Sequence, residues 1–231
     1  MVKATLRRIG AAWRRNPPEL AEDASPAVDL RETVERLRHA WEDRFEELAS
    51  GPGRRFAKDA TEHADRAFAA QLRKAGFTVK FRMTRAANDV LQAAISENVS
   101  LIKSIPEHFF TQVESIVTEG VRAGRDMNII TKGLQDQLSV TKRRAATIAR
   151  DQSNKASAAI LRVRQQEVGI TEAIWLHSGG GRHPRPSHVA MDGGRYDVAK
   201  GMWDRDEKAW IWPGQLINCR CVSRAVVAGL E

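Results

Sequence analysis

Residues 175–193 read WLHSGGGRHPRPSHVAMDG, and residues 212–221 read WPGQLINCRC. The last third of the chain contains both segments and holds three of the six histidines, four of the six tryptophans and both cysteines. Because these residue types are scarce and chemically distinctive, their concentration here indicates a special site rather than a generic core. That site either performs chemistry or fastens the fold of the region around it.

The composition of the whole chain narrows the class of protein. The chain has 231 residues, 42% of them hydrophobic, and no apolar run approaches the ~18 residues of a membrane span. The basic N-terminus has no continuous apolar stretch and no small-residue cleavage site, so it does not resemble a secretory signal. Two cysteines one residue apart make no disulfide framework. These features predict a soluble protein made in a reducing compartment.

The positive charge is concentrated in one segment. Of the formal net charge of +8, residues 121–164 supply +7, with 10 basic and 3 acidic side chains. A focused excess of this kind can attract a polyanion such as duplex DNA, with an affinity that falls as salt rises. The cations expected to face DNA are Lys142, Arg143, Arg144, Lys155, Arg162 and Arg164. The alternative is an ordinary solvated helix face.

The hydrophobic pattern predicts an α+β protein, with long N-terminal helices followed by a small C-terminal region rich in strands and loops. Asn16-Pro17-Pro18 and Ser25-Pro26 interrupt helix and favour a flexible arm. Apolar residues spaced by three and four dominate the middle of the chain, whereas glycine, proline and tryptophan dominate its end. The predicted regions are a flexible basic arm (1–27), a helical N-terminal region (28–84), a second helical region (85–168) and a β- and loop-rich region (169–231).

Local signals refine these boundaries. Gly51-Pro52-Gly53 predicts a break between two helices, and Ser104-Ile-Pro106 predicts the end of one helix and the start of the next. Residues 77–83 alternate apolar and polar side chains, as a short strand does. Short strands are also expected at 173–176, 210–212 and 219–227.

Four side chains in the C-terminal region are of the types that bind zinc. They are His183, His188, Cys219 and Cys221, and two thiolates with two imidazoles would complete a tetrahedral structural site. A Cys-x-Cys spacing is tighter than usual zinc pairs, although on a strand both sulfurs would share a face. Two alternatives stay open. The cysteines can be small buried apolar residues beside hydrogen-bonded histidines, or the cluster with Asp192 can serve an enzyme as acid, base or nucleophile.

The ordered set of motifs resembles the bacteriophage Mu F-like minor head (head morphogenesis) protein family. The resemblance covers roughly residues 90–225 and includes Ile148-Ala149-Arg150 on an Ala-rich helix, Pro213-Gly214 and the Cys-Arg-Cys sequence. The positions that match the family motif are Arg150, Trp175, Arg185, His188, Asp192, Gly193, Pro213, Gly214, Cys219 and Cys221. Two acidic positions of the family pattern differ here, because Gln152 stands beside Asp151 and a glycine run occupies 179–181.

The resemblance implies a non-enzymatic component of a phage particle. Proteins of this kind associate with the portal protein and the major capsid protein in several copies, inside the head or near the portal, after assembly in the host cytoplasm. The resemblance also implies a role near packaged double-stranded DNA, in its stabilisation or ejection. The sequence continues for only ten residues beyond Cys221, from which we expect no fused C-terminal toxin. The competing functions are a metal-dependent hydrolase or toxin-like enzyme, and a basic non-specific nucleic-acid-binding protein.

Overall fold

A computed structural model describes residues 1–15, 26–123, 127–179 and 183–227. Four long helices come first, and a one-turn helix and five short strands follow, so the predicted α+β class is confirmed. The elements of this part of the chain are α1 (Val2–Arg15), α2 (Pro26–Lys74), α3 (Arg85–Arg122), α4 (Met127–Glu167), β1 (Glu172–Leu176), α5 (Pro186–Ala190), β2 (Arg195–Asp197), β3 (Met202–Asp204), β4 (Ala209–Ile211) and β5 (Val222–Ala225). None of the described helices has the length and apolarity needed to cross a lipid bilayer.

The chain divides into two compact units, and each unit is built from two separate segments. Unit 1 comprises Met1–Gly51 and Val99–Ile148, and unit 2 comprises Pro52–Asn98 and Ala149–Glu231. This division differs from the consecutive regions expected from the sequence, because α2, α3 and α4 each contribute residues to both units. A change in composition marks a boundary between two consecutive segments. It cannot show that two segments far apart in the sequence belong to the same unit.

The N-terminal segment is a helix of unit 1, so the prediction of a flexible arm is wrong for residues 2–15. Val2, Leu6, Ile9 and Trp13 recur at helical spacing and form an apolar stripe on α1. Ile9 is fully buried, and the stripe packs into the core of unit 1. The breaks expected at 16–18 and at residue 25 lie outside the described residues. The core of unit 1 comprises Val2, Ile9, Ala12, Leu30, Val34, Leu37, Phe109, Phe110, Val113, Val117, Ile130 and Leu134.

Two prolines lie inside helices, so the helix breaks predicted at these positions are wrong. Helix α2 continues through Pro52, and helix α3 continues through Pro106. Proline removes one backbone hydrogen bond but does not end a helix when packing holds the turns on both sides. Burial supplies that packing, since Ala57 follows Pro52 and Phe109 follows Pro106, and both are fully buried.

Residues 77–83 do not form a strand, which corrects another prediction. An alternating segment becomes a strand only when a neighbouring strand accepts its backbone hydrogen bonds, and in the described chain none pairs with it. The segment instead packs on helices of unit 2. Phe81 stacks on Phe68 with ring centroids 5.6 Å apart, and the guanidinium of Arg164 donates to the carbonyl of Arg82 at 2.8 Å.

The C-terminal part of unit 2 contains a three-stranded antiparallel sheet of order β2-β1-β5 and a separate hairpin of β3 and β4. The strands expected near 173–176, 210–212 and 219–227 are thereby confirmed as β1, β4 and β5. Trp175 of the central strand β1 is fully buried and faces the core of the sheet region. That core comprises Ala173, Trp175, Met191, Tyr196, Val198, Ile211, Cys219 and Cys221.

Candidate functional site

A buried histidine faces both cysteines in unit 2. His188 lies on α5, which begins at Pro186, a residue whose fixed φ suits the first position of a helix. Its Nδ1 atom is 3.5 Å from the Sγ atom of Cys219 and 3.6 Å from the Sγ atom of Cys221. The three side chains are between 3% and 5% exposed. All three residues were candidates from the sequence, and the fold brings them together.

Backbone and indole N–H groups point at the two sulfurs. The Cys219 sulfur accepts from the N–H groups of Cys221 and Gly214, and the Cys221 sulfur accepts from the N–H of Ser178 and lies near the indole of Trp175. A donor directed at sulfur favours the thiolate over the thiol. The surroundings therefore stabilise negative charge at this pair.

The two thiols titrate as a pair. The Cys221 thiol donates to the Cys219 sulfur, and this bond, helped by His188 and the backbone donors, lowers the pKa of Cys219 to about 4 although burial opposes the shift. The same shared proton and burial raise the pKa of Cys221. The first proton therefore leaves the pair more easily, and the second less easily, than a proton leaves an isolated thiol.

Asp204 completes the cluster, although it was not among the candidates from the sequence. Its Oδ2 atom is 3.4 Å from Nε2 of His188 and accepts from the Ser187 hydroxyl at 3.1 Å. Burial alone would raise the pKa of this fully buried carboxyl, but the N–H groups of Asp206 and Glu207, the Ser187 hydroxyl and His188 hold it below its usual range. An isolated aspartate at the end of a short strand carries no motif, and only the β3–β4 hairpin brings it to His188.

Other residues of the family motif fasten the loops around this cluster. Arg185 donates to the carbonyl of Ile217 at 3.1 Å, and the N–H of His177 donates to the Asp192 carboxylate at 2.7 Å. The N–H of Gly193 donates to the carbonyl of Trp175 at 2.9 Å. Pro213 and Gly214 are both buried in the turn that leads to Cys219. Each contact joins segments that are distant in sequence.

Two side chains of helix α4 make hydrogen bonds to the backbone of the Cys-Arg-Cys segment and of the residue before it. The Asp151 carboxylate accepts the backbone N–H of Asn218, and the Asn154 amide donates to the carbonyl of Cys219 at 3.4 Å. Asp151 thus supplies an acidic contact although Gln152 occupies the position where the family pattern has an acid. Gln152 is itself buried and donates to Glu97 at 3.0 Å.

The structure does not bring His183 into the cluster, which corrects the four-ligand set expected from the sequence. His183 is exposed, and among the described residues the ligand atoms that lie within 4.8 Å of one another belong only to His188, Cys219 and Cys221. Residues 180–182, which precede His183, lie outside the described chain. Sequence proximity to the Arg-Pro-Ser-His motif was a poor guide because α5 begins only at Pro186.

Four of the six cations predicted to face DNA are buried or only partly exposed. Arg164 is 1% exposed and pairs with Asp65 at 2.7 Å and Glu167 at 2.8 Å, so its assignment to a DNA-facing surface is wrong. The remaining three are only partly exposed: Lys155 pairs with Glu97 and Asp151, Arg162 covers the Trp212 ring at 4.2 Å, and Arg144 donates to Ser104.

The two other predicted cations are open to solvent. Lys142 and Arg143 are exposed neighbours on the part of α4 that belongs to unit 1. Arg143 makes a long contact of 3.5 Å with the Ser139 hydroxyl one turn earlier. The charge count of residues 121–164 therefore overstates the charge offered to a polyanion. The acidic partners of Lys155 and Arg164 were invisible because two of them, Asp65 and Glu97, lie on other helices.

The segment that contains helix α4 and the buried cluster matches a family of phage proteins. The family described as "Phage Mu protein F like protein" matches residues 111–224, which contain the whole cluster and its helix. The match covers 114 of the 231 residues and identifies this segment as Mu F-like.

Two curated proteins are similar to parts of the chain. An uncharacterized protein of Haemophilus influenzae is 34% identical over 141 residues, which cover 61% of this chain and 30% of that protein. The uncharacterized protein YqbB of Bacillus subtilis is 28% identical over 127 residues, which cover 50% of this chain and 41% of that protein. The chain therefore spans less than half the length of either relative. No solved structure matches it.

Proposed function

We propose that this chain is a minor head protein that acts in head morphogenesis, present in several copies at the portal and the inner surface of the capsid. The observation that carries the proposal is the family match over residues 111–224. The family is one of phage proteins, so the host cytoplasm is the place of assembly and the head interior or portal region the final location. The major capsid protein and the portal protein are the expected partners.

A non-enzymatic role agrees with the burial of the cluster. Asp204 is fully buried, and His188, Cys219 and Cys221 are at most 5% exposed. A hydrolase needs a reacting atom that substrate can approach, with acid or base within hydrogen-bond reach of it. In this cluster every group instead contacts another part of the same unit. This arrangement supports a fastening role over the competing hydrolase or toxin-like enzyme.

Co-purification tests the assembly role. The tagged chain is produced together with the portal and major capsid proteins of the same phage, and portal rings are isolated by sedimentation. We expect the chain in the ring fraction, in a fixed ratio to the portal subunit. The matched control is the same chain with a disrupted unit 2, Trp175→Asp, tested after circular dichroism has established its helix content. A chain that stays out of ring and capsid fractions at all salt concentrations contradicts the proposal.

We also propose that Lys142 and Arg143 contact packaged DNA without reading its sequence. Exposed cations bind phosphates, and each contact between a cation and a phosphate adds about 0.9 to the steepness with which log affinity falls against log salt. Losing one such contact makes this dependence shallower by about 0.9. We expect Lys142→Glu/Arg143→Glu to reduce that slope by about 2 in duplex DNA titrations. Arg73→Glu/Lys74→Glu, an exposed basic pair that ends α2, makes the same change in net charge and should have a smaller effect. Equal effects of the two variants would contradict a specific face.

A further inference from the structure

Three buried ligand atoms in unit 2 already have the spacing of a metal site. Nδ1 of His188 is 3.5 Å from one sulfur and 3.6 Å from the other, and the three atoms all lie within 4.8 Å of one another. In a tetrahedral zinc site, bonds of ~2.3 Å to sulfur and ~2.0 Å to nitrogen place a sulfur and a nitrogen ~3.5 Å apart. We infer that His188, Cys219 and Cys221 bind one zinc ion.

Asp204 prepares the histidine for this role. A histidine that binds metal through Nδ1 must carry its proton on Nε2, and metal-bound histidines usually direct that proton to a carboxylate. Nε2 of His188 is buried and makes no hydrogen bond of good geometry, but Oδ2 of the fully buried Asp204 lies 3.4 Å away. Asp204 therefore positions His188 rather than binding the ion.

The donors around the sulfurs fit metal-bound thiolates. Each sulfur is approached by two N–H groups, those of Gly214 and Cys221 at Cys219 and those of Ser178 and Trp175 at Cys221. Hydrogen bonds of this kind orient the ligands of a metal and balance their charge. The Trp175 indole N–H is buried and has no hydrogen-bond partner of good geometry. A zinc thiolate gives it a strong one.

This ligand set differs from the one expected from the sequence. His183 plays no part, and among the described residues no fourth histidine, cysteine or carboxylate joins the group. Imidazole nitrogen and thiolate sulfur are ligands that zinc prefers, and these three side chains would fill three of its four tetrahedral positions. The ion would tie α5 to the loop of residues 213–221, with the β3–β4 hairpin held through Asp204. This inference does not depend on the proposed function.

Zinc content and coordination test the inference on the full-length chain. The protein is expressed with added zinc and purified under reducing conditions without chelator. Inductively coupled plasma mass spectrometry should find one zinc per chain, and X-ray absorption at the zinc edge should find two sulfurs and one imidazole. Substoichiometric zinc, together with no cobalt absorption on titration with Co²⁺, would overturn the inference. A zinc edge without two sulfurs would also overturn it.

Variants separate the ligands from their neighbours. Cys219→Ser and Cys221→Ser should each abolish stoichiometric zinc, whereas His183→Ala, the matched histidine control, should keep it. Asp204→Asn should still bind zinc, but its affinity for zinc in chelator competition should fall by about 10–100-fold, because the ligand His188 loses its hydrogen-bond partner. Zinc retained by both cysteine variants, or absent from His183→Ala, contradicts the assignment.

Thiol chemistry on the unmodified chain keeps the test valid if the cysteine variants fail to fold. Both thiols should resist a thiol reagent while zinc is bound, and both should react once a chelator has removed it. The cobalt-substituted protein should show the charge-transfer absorption of cobalt thiolates. Thiols that react equally with and without chelator, or a disulfide between Cys219 and Cys221 in the reduced preparation, would reject the site.

Discussion

The guanidinium of Arg164 shows how a charged residue can be structural. It lies in unit 2 at 1% exposure and bonds two carboxylates and the Arg82 carbonyl. Arginine suits such a position because its planar guanidinium can donate two parallel hydrogen bonds to one carboxylate and stays charged when buried. The helical pattern of α4 could be predicted from the sequence, but the acidic partner Asp65 is 99 positions away. Local patterns contain no information about such a pair.

Arg164→Ala should destabilise unit 2 by about 3 kcal/mol, because removing one partner of a buried pair leaves the other charges uncompensated. Urea unfolding followed by circular dichroism measures the change. Arg143→Ala, an exposed arginine on the same helix, is the control and should change stability by less than about 0.5 kcal/mol. Equal, small losses in both variants would show that Arg164 contributes only a surface interaction.

Gly214 is required both by its backbone and by its surroundings. Its φ is +82°, and an added Cβ would lie 2.6 Å from the Cβ of Ala158. We expect Gly214→Ala to cost about 1–2 kcal/mol for the left-handed conformation and about 1–3 kcal/mol more for overpacking. Gly193 has a φ of +75°, and an added Cβ would meet nothing within 4 Å. Gly193→Ala should therefore lose only the stability that the left-handed conformation costs. Thermal unfolding of both variants measures the difference, and identical costs would rule out the contact with Ala158.

At the scale of elements, hydrophobic periodicity predicted the type of most segments, whereas their ends and breaks depended on tertiary contacts. The strands near 173–176 and 210–212 were recognisable because aromatic and branched residues alternate there. Pro52 and Pro106 were misleading because burial on both sides compensates one missing hydrogen bond. The basic residues of α1 favoured the prediction of a flexible arm, although the segment also carries an apolar stripe. That stripe forms an ordered helix because it packs against the core of unit 1.

Helix α1 should contribute to the stability of unit 1. Ile9 is fully buried, and Ile9→Ala should cost about 2–5 kcal/mol through reduced burial and the cavity that remains. Arg7→Ala, on the exposed side of the same helix, should cost little. Guanidinium unfolding measures both variants. If residues 2–15 were a flexible arm, the two substitutions would have the same negligible effect.

The contact between α3 and α4 in unit 2 should make stability depend on pH. Burial would raise the pKa of Glu97, but hydrogen bonds from Gln152 and Lys155 hold this pKa below its usual range. Burial would lower the pKa of Lys155, but Glu97 and Asp151 hold this pKa above its usual value. The stabilisation is therefore complete between the ordinary pKa values of glutamate and lysine. It is lost as pH falls through the lowered value of Glu97, and again as pH rises through the raised value of Lys155.

Glu97→Gln isolates this pH dependence. The glutamate is half exposed, so the ion pair should contribute only about 0.2–1 kcal/mol near neutral pH. Melting temperatures measured from acidic to neutral pH should converge for the two proteins at low pH and separate as pH rises. Glu62→Gln, an exposed glutamate of α2 with only long contacts, is the control. Parallel melting curves for Glu97→Gln and the original chain would contradict the assignment.

At the scale of the whole molecule, two cores are built from one interleaved chain. The core of unit 1 and the core of the sheet region share no residue, and each has its own aromatic and aliphatic side chains. The α+β class and the concentration of special residues near the C-terminus could be predicted. The segment exchange between units could not, because continuous helices give no compositional boundary where one unit ends.

The separate cores predict a separable response to mutation. Ile9→Ala should raise hydrogen exchange mainly in amides of unit 1, because local openings follow the contacts that a core supplies. Trp175→Phe should do so mainly for β1, β2 and β5 of unit 2. Hydrogen exchange measured by mass spectrometry compares the two variants with the original chain. Uniform acceleration across the chain in both variants would mean that the whole protein opens as one cooperative unit.

The order of strands in the sheet has a consequence for synthesis on the ribosome. Strand β1 lies between β2 and β5, and 18 residues separate it from β2 whereas 45 separate it from β5. The β1–β2 pair can thus form first, because its connection is the shorter one to close. One edge of β1 stays unpaired until the last strand emerges, and an unpaired edge invites association with other chains. Nascent chains that stall before Val222 should therefore aggregate or recruit chaperones more readily than completed ones.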